Sequence, residues 1–358
     1  MPKKQRRRRR SADYQQFSDF DDAALNALKR TSALRRVPIF ASCGCLPVPG
    51  LEGAVCAFEL GWDAPSIVVE EASGRSMILA PGDIFLGTTG YRESTRWAVG
   101  GMPKRGLVPG SSYWVLAECG VVGDLTGDSP QAMAHLGQVK YLGTVASGDG
   151  VHLNMRQFAV TVDPPAADCG APLFLVLGTS AEVGKTTAAT VVLRSLRRKG
   201  ATRITALKAT GTSSFSEIAV YRDFGANQIF DCVDFGLPTT YPTDRSGMKE
   251  VFSGVLDTCL SIPSDAVLVE CGGDILGANV PVFLDCLRHR RSDAKVILAA
   301  ADALGALGAK GILEDKGFVV ALITGPCTDT VTLQARTQTL CEVPAINMVR
   351  GGSHEALF

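Results

Sequence analysis

The sequence predicts an α/β chain: a C-terminal parallel sheet covered by helices on both faces, preceded by a smaller, mostly β domain. Three observations carry this. From Pro172 onward, uninterrupted apolar runs alternate with segments long enough for helices, the pattern of strands buried on both faces. Between Val37 and about Val162, short apolar stretches are separated by turns containing Gly, Pro and Asp, as in a small barrel or sandwich. Between the two, Asp163-Pro164-Pro165-Ala166-Ala167-Asp168 reads as a linker, because consecutive prolines stop regular structure. The expected organisation is therefore a basic disordered tail and short helix over 1–36, a β domain over 37–162, a linker over 163–171 and an α/β domain over 172–358.

The chain opens on Lys3-Lys4-Gln5-Arg6-Arg7-Arg8-Arg9-Arg10, a run of like charge that stays solvated unless an anionic partner meets it. Asp21 to Arg36 has helical composition. In the β domain the expected strands include 54–58, 66–69, 76–79, 113–117 and 139–142. The segment Gly87 to Arg96 combines Gly, Thr and Arg, a composition that suits a turn and also suits recognition of a carboxylate or phosphate. In the C-terminal half the expected strands are 173–177, 204–208, 229–233, 266–269, 296–300, 319–324 and 345–348. Ligands of such sheets bind at the carboxyl ends of the strands. That rule singles out Lys208, Glu270 and Asp302, with Asp223 and Asp234 as weaker candidates.

The strongest local signal is Gly178-Thr179-Ser180-Ala181-Glu182-Val183-Gly184-Lys185-Thr186-Thr187, between an apolar strand and a helix with a basic end. A strand, a glycine-containing loop and Gly-Lys-Thr opening a helix form a cradle for nucleotide phosphates, where backbone N–H groups and the helix dipole converge on an anion. The C-terminal sheet is thus expected to be of the P-loop kind. Lys185 reaches for the β- and γ-phosphates and the Thr186 hydroxyl for a magnesium ion. The strict motif has glycine at the position of Thr179, one residue after Gly178.

Composition narrows the function further. The 358 residues are 46 % hydrophobic, and 36 Lys and Arg balance 36 Asp and Glu, so net charge points to no partner class. The 11 cysteines form no zinc spacing and no disulfide framework, which fits reduced thiols in a cytoplasm. No segment reads as a membrane span. The four histidines are scattered, and no Ser-His or Cys-His dyad is evident in the order of residues.

The phosphate loop with its Glu-Val-Gly-Lys-Thr core resembles that of dethiobiotin synthetase. So do Lys208 to Thr212, the loop Phe235-Gly236-Leu237-Pro238-Thr239-Thr240, and Val269-Glu270-Cys271-Gly272-Gly273, in the same order over roughly residues 172–348. The resemblance implies that Gly178, Thr179, Glu182, Val183, Gly184, Lys185, Thr186 and Thr187 hold ATP. It implies magnesium at Thr186, Glu217 and Glu270, with Lys185, Lys208 and Thr212 as the reacting-site residues and the last two facing the second substrate. It also implies a homodimer. Ile323-Thr324-Gly325-Pro326 stands where that family has its asparagine for the base, Glu217 replaces an aspartate, and the β domain has no counterpart there. The segments 208–212, 222–226 and 234–241 also resemble two-domain P-loop proteins that include amino-acid N-acyltransferases, where the same loop would hold acetyl-coenzyme A. Three functions are therefore open. The first is an ATP- and magnesium-dependent enzyme activating a small carboxylate or carbamate for attack by an amine. The others are an acetyl-coenzyme A-dependent acyltransferase and a nucleotide switch, for which the basic tail would be the partner arm; GTP in place of ATP stays open throughout.

Overall fold

The computed structural model describes residues 28–38, 43–93, 97–129, 136–160, 167–242 and 245–350. The basic run at 3–10, residues 21–27, Ser94 to Arg96 and residues 163–166 lie outside them.

The N-terminal half carries β1 (Lys29–Arg30), β2 (Cys43–Leu46), β3 (Val55–Leu60), β4 (Ile67–Glu70), β5 (Ser76–Leu79), β6 (Ile84–Thr89), β7 (Arg92–Glu93), β8 (Ala98–Gly101), β9 (Ser112–Ala117), β10 (Val121–Asp128) and β11 (Gln138–Ser147). Pairing runs from β6 through β3, β11 and β9 to β10, and β10 pairs back onto β6. The sheet thus closes into a small barrel, which leaves these strands without an open edge. Period-two alternation decides which side chains enter it. Cys56, Phe58 and Leu60 of β3 join Phe85, Val139 and Tyr141 in one core. Val55 and Ala57 of the same strand turn to a second cluster with Leu34, Leu86 and Val233. Val233 belongs to the C-terminal half, so the outer face of the barrel is packed against the other unit.

The expected helix over 21–36 is not what the described part of that stretch forms. Residues 28–36 make β1 and a 3-10 turn at Ser32–Leu34. Local composition is overridden because Ala33 and Leu34 are buried and the Thr31 hydroxyl donates to the Leu86 carbonyl at 3.0 Å.

The C-terminal half carries β12 (Leu173–Gly178), α1 (Lys185–Arg198), β13 (Ile204–Thr210), α2 (Phe215–Asp223), β14 (Gln228–Phe230), α3 (Arg245–Ser261), β15 (Ala266–Cys271), α4 (Val280–Arg288), β16 (Lys295–Ala299), α5 (Ala303–Asp315), β17 (Val320–Thr324) and α6 (Val331–Cys341). The six strands lie in the order β14-β13-β15-β12-β16-β17 and all are parallel. Leu173, Leu175 and Leu177 face a core with α3 to α6, while Phe174 and Val176 face a second core with α1 and α2. Burial on both faces explains why these strands read as unbroken apolar runs.

Two expected strands are corrected. Over 229–233 the strand stops at Phe230, where Asp231 caps a 3-10 turn, Cys232–Phe235, by accepting the Val233 amide. Over 345–348 only a single bridge forms, between Ala345 and Ile323. Among the described residues no helix is long and apolar enough to cross a membrane.

Three groups of hydrogen bonds fasten the halves together. Arg35 donates to Asp231 at 2.6 Å and Asp234 at 2.9 Å, and Arg36 donates to Asp234 at 2.6 Å. Glu70 of β4 accepts the amides of Phe215 and Ser216, each at 2.7 Å. The Thr239 hydroxyl donates to the Tyr91 carbonyl at 2.8 Å.

Candidate functional site: a phosphate loop facing a carboxylate

The connections from β12 pass to one side of the sheet and those from β15 pass to the other, so a crevice opens at the carboxyl ends of these two strands. A cleft of about 450 Å³ occupies it.

One wall is the loop between β12 and α1. Its departure from the strict glycine spacing has a steric reason. A Cβ on Gly178 would lie 2.8 Å from both Lys185 Cδ and Val183 Cγ2, so this glycine is where the lysine stem crosses the strand end. Thr179, at the usual glycine position, instead accepts the Ala301 amide at 3.2 Å and ties the loop to the end of β16. Gly178, Thr179 and Val183 therefore shape the loop, while Glu182, Gly184, Lys185, Thr186 and Thr187 line the cleft. Glu182 sits at φ 61°, a left-handed conformation costing a side-chain residue about 1–2 kcal/mol. Ala278, on the cleft's opposite wall, has φ 51°. Backbone strain of this kind gathers where geometry is set by function.

Lys185 is 7 % exposed, and its Nζ donates to the Ser180 carbonyl within the loop at 2.7 Å. Burial lowers its pKa below the ordinary lysine value, Glu270 pulls the other way, and Lys208 adds to the lowering. A group held this way gains from an added anion.

Opposite the loop stands Glu270, the penultimate residue of β15 and 1 % exposed. Its Oε1 accepts the Thr186 hydroxyl at 3.0 Å and its Oε2 accepts the Tyr221 hydroxyl at 2.6 Å. Burial drives the Tyr221 phenol far above its ordinary range, so it remains a neutral donor. Lys208 of β13 is in register with Glu270, and the ladder shifts immediately afterwards between Lys208 and Thr210. The Lys208 ammonium pairs with Glu217 in the first turn of α2. Thr212 bridges to Thr239 and lines the same cleft.

The structure thus brings Lys185, Thr186, Lys208, Thr212, Glu217 and Glu270 to one cleft. Within it, the Glu217 carboxylate engages Lys208, whereas Glu270 is the carboxylate at Thr186. Neither Asp223 nor Asp234 lines the cleft; Asp234 is committed to Arg35 and Arg36. Asp302 accepts the Gly305 amide and caps α5. Of the described part of the segment 87–96, Arg92 and Glu93 reach the cleft wall. Sequence reasoning missed Tyr221, Tyr241 and Asp274. The first reads as a core residue of α2, Tyr241 ends the segment 234–241 without a role assigned to it, and Asp274 sits in a loop just past the Glu270 segment.

No His, Cys or Ser among the described residues lines the cleft. Burial also pushes the Cys232 and Cys271 thiols well above the ordinary range, which favours the protonated thiol over the nucleophilic thiolate.

This parallel sheet, its loop and its opposed strand-end carboxylate define a P-loop α/β protein. No family model matches the chain, and no curated protein does. Partial likenesses occur among solved structures. A DUF1611 family protein from Anabaena variabilis is 14 % identical, over 57 % of this chain and 63 % of that one, with a TM-score of 0.39. Chloroplast FtsY from Physcomitrella patens is 13 % identical over 53 % and 62 %, with a TM-score of 0.36. The signal recognition particle receptor FtsY from Elizabethkingia anophelis is 18 % identical over 55 % and 64 %, with a TM-score of 0.34. In each case this chain spans less than two thirds of the other's length.

Proposed function

We propose that this chain is a magnesium-dependent nucleoside-triphosphate enzyme that activates a small carboxylate or carbamate by phosphoryl transfer, for attack by an amine or similar nucleophile. The observation that carries the reading is the 3.0 Å contact between the Thr186 hydroxyl and Glu270, directly after the phosphate-loop lysine. An oxygen donor set of one hydroxyl and one carboxylate fits magnesium, which is commonly held by one or two carboxylates together with substrate phosphates. Among the described residues no group of three or more His, Cys, Asp or Glu gathers to hold a metal without such help.

The charge balance points the same way. Among the described residues, Glu93, Glu182, Glu217, Glu270 and Asp274 line the cleft against Arg92, Lys185 and Lys208, five negative groups against three positive. A polyphosphate entering alone meets a net negative site, while one accompanied by magnesium does not. Bound there, the ion would neutralise charge on the phosphates during transfer. Lys185 would bind the phosphates through its ammonium. Lys208, held by Glu217 across the cleft, would neutralise the anionic second substrate. Phosphoryl transfer asks mainly for positioning and charge neutralisation, and a cleft whose described lining has no His, Cys or Ser is suited to that.

The test is turnover. Purified chain with magnesium and ATP or GTP should release the nucleoside diphosphate, and phosphate once an amine attacks the acyl phosphate, when a panel of small carboxylates and amines is added. Acyl transfer from acetyl-coenzyme A with no magnesium requirement would contradict the reading.

A further inference from the structure

A second cavity, of about 190 Å³, adjoins the phosphate loop through Glu182, Val183, Gly184 and Thr187. Its far wall is built from Thr324 at the end of β17, the following loop 325–329, and residues 347–349. Gly325 brings the first of them in. It sits at φ 95°, and a Cβ there would lie 2.8 Å from the Val183 carbonyl oxygen and 2.9 Å from that of Ala300. Only glycine lets the loop approach so closely. Pro326, Met348 and Val349 add apolar surface, and Asp329 and Asn347 add polar groups. Such a slot suits a flat heterocycle whose edge carries hydrogen-bonding groups.

Asn347 is fully engaged. Its Nδ2 donates to the Thr328 carbonyl at 3.3 Å and to Asp329 Oδ1 at 3.0 Å. Its Oδ1 accepts the amides of Val349 at 3.1 Å and Arg350 at 3.0 Å. The amide is therefore a fixture that orients Asp329 and has little left to offer a ligand. Asp329 is exposed, and its Oδ2 has no donor among the described residues. A carboxylate is an acceptor only, with room for two donors side by side.

Resting on the phosphate-loop reading above, we infer that this cavity seats the nucleobase of the bound triphosphate and that Asp329 selects guanine. Guanine presents an N1–H and an N2 amino group on one edge, both donors, and Asp329 accepts both. Adenine presents a ring acceptor at N1 beside its one amino group, so the same carboxylate faces a lone pair.

The experiment is titration calorimetry of the full chain with the magnesium complexes of GTP, ATP and xanthosine triphosphate, on wild type and Asp329→Asn. Wild type should bind GTP about 10-fold or more tightly than ATP, the scale of one well-formed bidentate base contact. Asp329→Asn should lose that preference and bind xanthosine triphosphate about 10-fold more tightly than wild type does, because the introduced amide donates to the C2 carbonyl that replaces the guanine amino group. A merely structural aspartate would not produce this gain. Wild type binding ATP as tightly as GTP would overturn the inference, and that comparison does not depend on the variant folding. So would an Asp329→Asn variant, shown folded by circular dichroism, with unchanged preferences. No binding of any triphosphate by wild type would overturn the phosphate-loop reading itself, and this inference with it.

Discussion

The carboxylate of Glu70 accepts the backbone amide of Ser216 at 2.7 Å, so a residue of the barrel unit caps a helix of the P-loop unit. It also accepts the Phe215 amide at 2.7 Å and the Ser214 hydroxyl at 2.9 Å, while Ser214, the residue at the cap position itself, makes no side-chain cap. The helix capped is α2, which carries Glu217 and Tyr221, the partners of Lys208 and Glu270. The β4–β5 hairpin of the N-terminal unit thereby fixes one wall of the cleft from outside.

Glu70→Gln should lower stability by about 0.5–2 kcal/mol at neutral pH, the scale of a lost helix cap. Burial pushes Glu70 upward, but the hydrogen bonds from Ser216 and Phe215 outweigh it and hold the group below its ordinary 4.5. A depressed carboxylate contributes stability that is present above about 4.5 and lost as pH falls through its lower folded value. Urea denaturation should therefore show the gap between wild type and Glu70→Gln closing in acid. A gap that widens below pH 4.5 would reject this role for Glu70.

Arg35→Ala should cost about 3–5 kcal/mol, because it strands the buried Asp231 without its cation and leaves Asp234 only the more exposed Arg36. The Arg35 and Asp231 side chains are 8 % and 1 % exposed, whereas that of Arg36 is 46 % exposed. Arg36→Ala should therefore cost only about 0–1 kcal/mol. Equal effects in denaturation would show that the Arg35 pair is not the fastening of the two halves.

Tyr221→Phe should reduce magnesium dependence of nucleotide binding about 10-fold, since removing a group that orients a metal-binding carboxylate typically costs that much. Glu270→Gln should do so more strongly while leaving metal-free nucleotide binding nearly intact. A titration with increasing magnesium distinguishes them, and an unchanged requirement in Glu270→Gln would remove that residue from the site.

Lys208→Ala should spare nucleotide affinity and impair turnover with the second substrate. Loss of nucleotide binding instead would reassign Lys208 to the phosphates.

The sequence made the core of this site legible because its signals are local. The glycine-lysine-threonine loop sits between an apolar run and an amphipathic helix, and Glu270 directly ends another apolar run. What stayed hidden is tertiary. Arg35 looks like part of a basic helix until Asp231, 196 residues away, is placed beside it. Tyr221 is indistinguishable from a core tyrosine, since only the fold brings its hydroxyl to Glu270. Thr179 occupies a glycine position because Gly178 already makes the room that Lys185 needs, a steric fact no spacing rule contains.

The most direct test is calorimetric titration of the full chain with ATP and GTP, with and without magnesium, on wild type and Lys185→Ala. Magnesium-dependent binding in wild type, lost in the variant, is the predicted result. Undiminished binding by Lys185→Ala, or binding of acetyl-coenzyme A alone and without magnesium, would contradict the account.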